Sequence, residues 1–203
     1  MEETYTLGLS LLDFLPNLAF LVNAYFMIRM VRLKNRALEL VAMITGTSLV
    51  FLGGLLKAVW KLLYTVGLGD FQFLSEIQFI LITPGFLAML MSLVLFARQK
   101  KETKGAIIHS IAPWKIPFIA VLTLSSLGVL GILAYLAYRR KAYTAAVLFV
   151  VAVTCMLGMA GMASGEQTVA RQWIEEGINS LGQICWAVGS YLLYLRYKMK
   201  YDS

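Results

Sequence analysis

The sequence predicts an all-α protein, a polytopic integral membrane helical bundle with six transmembrane helices, or seven on a rival reading. Three observations carry this. Of the 203 residues, 60% are hydrophobic and only 14% are charged, where a soluble domain runs near one quarter charged. The charges are gathered into short clusters between long uncharged runs. Several of those runs reach the ~20 apolar residues a helix needs to cross the ~30 Å hydrocarbon layer. Backbone groups in lipid must bond within their own segment, so the runs are expected as helices. The ten-residue alternation of a membrane barrel is missing.

The first span, about residues 9–30, follows the acidic start "MEETYTLGLS". A cleavable leader would begin basic, so this span is read as a permanent helix. Pro16 should bend it, and Asn23, deep inside, needs a partner on a neighbouring helix. The basic run "RMVRLKNR" ends it. The second span, 38–63, carries Lys57 and Lys61 one turn apart on a single face. The third, 74–97, opens with Glu76 and Gln78, contains Pro84–Gly85 and leads into "RQKKETKG". Residues 100–115 read as an amphipathic stretch lying on headgroups, or as a solvated loop.

The fourth span, 116–138, starts at "PWKIP", where Trp114 and Lys115 suit the interface and Pro117 a first helical turn. The fifth, 142–163, ends in "GMAGMASG", whose Gly161 and Gly165 have the spacing of a close helix contact. The sixth, 174–196, places Gly182 and Gly189 on one face and runs into the basic tail "RYKMKYDS".

The formal net charge of +7 falls in clusters that flank the spans. That is the cytoplasmic-side bias of a membrane protein, not a nucleic-acid surface. It puts the N-terminus outside a plasma (inner) membrane. A six-helix plan then leaves Arg139, Arg140 and Lys141 outside, against the charge rule. A seventh crossing between residues 105 and 138 would bring every basic cluster inside, although that stretch is barely long enough for two spans. Its most plausible turning point, "IAVLTLSS", holds no Gly, Pro or charge.

The chain reads as a single transmembrane domain, 1–203, with candidate repeat halves at 9–101 and 116–201. A shift of one hundred superposes 71–101 on 171–201, bringing Glu76 onto Glu176, Phe86 onto Trp186 and Lys100 onto Lys200. Six helices would make the halves inverted, and seven would make them parallel. In architecture alone, such plans resemble small sugar transporters and trimeric cation channels.

The polar residues inside apolar spans are the candidate binding site. Asp13 and Asn17 on the first span, Lys57 and Lys61 on the second, and Glu76 and Gln78 on the third share one membrane level. Ahead of and into the sixth span come Arg171, Glu175 and Glu176, then Asn179 and Gln183. Glu176, Asn179 and Gln183 recur at three- and four-residue spacing and form one stripe. Balanced charges at one level suit a wet chamber for a polar or zwitterionic solute, or an ion-pair knot that locks the bundle.

Cys155 and Cys185 sit mid-span as small hydrophobes, there is no CxxC, and His109 is the only histidine. No cofactor, metal or catalytic residue is expected. The expected partners are the lipid bilayer, an unknown small polar solute, and a homo-oligomer or partner subunit. A transporter or channel is the leading reading. A non-transporting subunit or sensor is the alternative, and an intramembrane lipid-modifying enzyme is third, lacking any nucleophile–histidine pairing.

Overall fold

The computed structural model describes residues 6–97, 115–162 and 168–201. Among them every element is helical: α1 (Leu7–Leu12), α2 (Phe14–Arg32), α3 (Ala37–Thr65), α4 (Gln72–Ala97), α5 (Lys115–Arg139), α6 (Tyr143–Met162) and α7 (Val169–Tyr201). Four segments are long and apolar enough to cross a membrane: 7–32, 37–65, 72–97 and 121–139. Large apolar side chains face outward along them, among them Leu18, Leu21, Val22, Val41 and Ile44. In water such a surface would be an aggregation hazard, whereas lipid tails cover it without cost.

The first predicted span is two helices. Pro16 has no N–H, and its ring crowds the carbonyl four residues back. The helix is therefore interrupted at Asp13, whose backbone nonetheless stays helical (φ −58°, ψ −20°), with Pro16 in the first turn of α2, where a proline is tolerated. Pro84 interrupts nothing, because α4 runs unbroken through it. The neighbouring Gly85 lets α4 settle directly on Gly46 of α3, where an added Cβ would stand 2.9 Å from the Gly46 carbonyl oxygen. Gly182 and Gly189 do the same for α7, against Cys155 and Phe149 of α6. Gly165 lies outside the described residues.

The helices form a closed ring: each of α2 to α7 packs on the next, and α7 returns to α2. Contacts fix their sense. Asp13 meets Lys61 and Asn17 lies over Gly54, so α3 runs against α2. Ser92 of α4 donates to the carbonyl of Glu39, 2.7 Å away, so α4 runs against α3. Leu90 packs on Gly128, and one cavity holds Phe96 beside Leu136, so α5 runs with α4. α6 reverses, and α7 runs with α2, since Ser190 bonds Asn23 and Arg29 bonds the hydroxyl of Tyr194.

This corrects the expected turn from the third span to the fourth. α5 is one uninterrupted helix, so "IAVLTLSS" is no turning point. Yet α5 begins at the opposite end of the bundle from where α4 stops. At 1.5 Å per residue its ends are about 37 Å apart. α5 therefore runs in the same sense as α4, and α7 in the same sense as α2. Arg139 and Arg140 stand at the same end as Lys34 and Lys200. The stretch 100–114, with His109, lies outside the described residues.

The interior is layered from one end to the other. A charged layer at Asp13, Lys61 and Glu176 gives way to amides, then to Phe20, Phe86 and Trp186. Below them lies a fully apolar zone containing Met27, Met30, Met43, Met89 and Leu93, each at most 1% exposed. Lys34, Arg139, Arg140 and Lys200 close the far side. The two extremes are called the paired end and the basic end.

Candidate functional site

The site begins at the break between α1 and α2, which turns Asp13 inward. Lys61, one turn from the C-terminal end of α3, reaches it from the facing helix. Its Nζ lies 2.8 Å from Asp13 Oδ2 and 3.2 Å from Glu176 Oε1. All three residues are at most 6% exposed. Three helices thus place one cation between two carboxylates in a poorly solvated layer. Leaving such a charge unpaired would cost several kcal/mol. Lys57, one turn before Lys61, is exposed but close enough to act on both carboxylates. Glu176 Oε2 finds no donor among the described residues, and the two carboxyl groups lie within hydrogen-bonding reach of each other.

Beside this triad is a cavity of about 180 Å³ lined by Asp13, Asn17, Lys57, Gln78, Asn179 and Gln183, with Pro16, Gly54, Phe20 and Phe86 completing its wall. Its volume corresponds to about six water molecules of liquid. Asn17 is held in place because its Nδ2 donates to the Asp13 carbonyl, 3.0 Å away, and because Gly54 opposite has no side chain to exclude it. The floor is aromatic. Trp186 packs edge-on to Phe20 at 5.7 Å and stacks on Phe86 at 6.0 Å between ring centroids.

A second cavity, about 270 Å³, lies on the other flank of α7, is lined by Trp186, and shares Ile82, Phe86, Asn179 and Gln183 with the first. Thr123, Ser126 and Cys155 add polar atoms to its wall. Gln183 Oε1 and Trp186 Nε1 are buried and have no hydrogen-bond partner among the described residues. An acceptor and a donor one turn apart are therefore available to something other than protein.

Of the eleven residues named from the sequence, six line the first cavity, and Lys61 and Glu176 form the triad with Asp13. Three lie elsewhere. Glu76 is exposed on the outer face of α4, because residues two apart on a helix do not share a face and Gln78 takes the inner one. Arg171 and Glu175 pair with each other at 3.3 Å, and Arg171 also donates to the carbonyl of Met162, tying α7 to the end of α6. Asn23 has its partner on α7, accepting from Ser190 Oγ at 2.6 Å.

The sequence reading missed Ser126, Cys155 and the aromatic floor. The serine pair in "TLSSLG" was the available signal, since a hydroxyl inside an apolar span needs a neighbour or a cavity. Among the described residues no group of three His, Cys, Asp or Glu side chains is arranged to hold a metal. No protein family, curated protein or solved structure matches this chain.

Proposed function

We propose that this is a small transporter-like membrane protein that takes a polar or zwitterionic solute into the cavity beside Asp13, Lys61 and Glu176. One observation carries the reading: six polar side chains from the α1–α2 joint, α2, α3, α4 and α7 converge on one hollow next to a buried ion triad. A bundle locked by ion pairs alone needs no hollow beside the lock. Lys57 stands exposed at the rim, so access is from the paired end. The aromatic floor and the methionine layer beneath it close the way to the basic end. Cationic side can meet the solute's carboxylate at Lys57, and its ammonium can meet Asp13 and the amide oxygens.

In this reading the basic end faces the cytoplasm of a plasma membrane, the N-terminal end of α1 lies outside, and the chain crosses an odd number of times. The common sense of the halves, the matching helix neighbours in each, and a left-handed residue in each first hairpin (Asn35, φ 52°, and Lys141, φ 56°) support descent of both halves from one three-helix unit. A cysteine at position 140 should react only with a reagent admitted to the inner side. Labelling from outside would remove the orientation.

The transport reading is tested with the purified chain in proteoliposomes, offered radiolabelled glycine, alanine, glutamine, betaine and glycerol. Uptake of at least one, reduced tenfold or more by Gln183→Leu with unchanged thermal stability, is the expected result. No uptake and no thermal shift with any of them, in outside-out vesicles, would leave the triad as a structural lock.

A further inference from the structure

The basic end holds a cavity that the solute path does not use. It measures about 200 Å³ and is lined by Lys34, Arg139, Arg140, Lys200 and Tyr197, with an apolar back wall that includes Phe96, Ala97 and Leu136. Four cations come from three places in the fold: the α2–α3 turn, the end of α5 and the end of α7. Among the described residues no carboxylate lines it. Glu39, which acts on Lys34, is already bonded to Arg36 at 2.9 Å.

The contacts that hold Lys34, Arg139 and Arg140 do not neutralise them. The Lys34 ammonium donates to the Phe96 carbonyl and lies 4.1 Å from the centroid of the Phe96 ring. The Arg140 guanidinium lies 4.3 Å over the Tyr197 ring, and that of Arg139 lies 5.8 Å from the Tyr135 ring. Neither arginine has a carboxylate partner among the described residues. Burial pushes Lys34 below the ordinary lysine range; Arg36 and Arg140 push the same way, against Glu39. Helix C-termini attract cations to this end. Simple capping would turn each one onto a terminal carbonyl, as Lys34 is turned. Arg140 instead sits over an aromatic face, which holds its fork of donors at the cavity wall.

We propose that this cleft binds a phosphate-bearing anion, which an anionic phospholipid headgroup or a free phosphate compound could each supply. Guanidinium groups bond phosphate oxygens in pairs, ammonium groups add point charge, and basic pockets between helix ends are suited to lipid headgroups. The apolar back wall fits the glycerol and first methylenes of a lipid. A free anion would leave that wall bare.

The test uses the full chain, purified in a neutral detergent. In one arm, native mass spectrometry counts retained phosphatidylglycerol against phosphatidylcholine. In the other, inorganic phosphate and pyrophosphate are titrated against thermal unfolding. Retention of phosphatidylglycerol alone assigns the lipid source, and a thermal shift with the inorganic anions assigns the free one. Arg140→Gln and Lys34→Gln should each weaken the responding arm at least tenfold. Lys198→Gln removes the same charge from an exposed position off the cleft wall and should change it less than twofold. Arg140→Lys serves if Arg140→Gln does not fold, with an expected loss of threefold or more because the planar fork is gone. No preference in either arm for the wild-type chain overturns the proposal. So does an equal loss in Lys198→Gln, which would mean diffuse attraction to a basic surface.

Discussion

At the paired end, Asp13, Lys61 and Glu176 are buried together; at the basic end, Lys34, Arg139, Arg140 and Lys200 stand around a cleft on whose wall the described residues place no carboxylate. The two ends solve one problem in opposite ways. Charges that balance within the chain can be buried, since each supplies the field the other lost with its water. Charges of one sign must stay near water, lean on π faces and carbonyl oxygens, or wait for counter-charge from outside. The location of the carboxylates thus decides which charges the fold can bury.

The sharpest way to break this comparison is to unbalance the closed end. Lys61→Met leaves two neighbouring buried carboxylates with no buried cation between them. It should cost about 3–5 kcal/mol in unfolding in detergent. Adding Asp13→Asn and Glu176→Gln to Lys61→Met should restore more than half of that. A loss below about 1 kcal/mol for Lys61→Met would mean the triad is wet after all.

The reverse experiment balances the open end. Arg140→Glu puts a carboxylate beside Lys34 and Arg139, and thermal stability without added anion should rise by the equivalent of about 0.5–1 kcal/mol while phosphate binding disappears. A lower melting temperature would show that the Tyr197 contact outweighs charge relief. The smallest effect is expected at Lys57. It is exposed, so Lys57→Gln should change stability by no more than about 0.5 kcal/mol. A larger loss would make it a fourth member of the buried set.

Much of this could be read from residue order. Apolar run length located the helices within a few residues, as in α4, expected at 74–97 and found at 72–97, because lipid leaves a backbone no other way to satisfy itself. The Glu176, Asn179 and Gln183 stripe was legible because three- and four-residue spacing fixes a face. The same geometry should have separated Glu76 from Gln78, and Glu175 from Glu176, since neighbours cannot both point inward. The sense of α5 was not legible. Hydropathy records how far a helix reaches, not at which end the chain enters it. The aromatic floor was hidden for another reason: Phe20, Phe86 and Trp186 look like any core residues until packing shows that a cavity stops on them.

The joint at Asp13 has a mechanical consequence. α1 is a six-residue arm fastened at its far side, where Ser10 Oγ meets Thr65 Oγ1 at 2.6 Å. Its fulcrum is the residue that carries one of the paired charges. Any tilt of the arm must therefore drag that carboxylate relative to Lys61, so displacement at the rim is converted directly into electrostatic work at the hollow's edge.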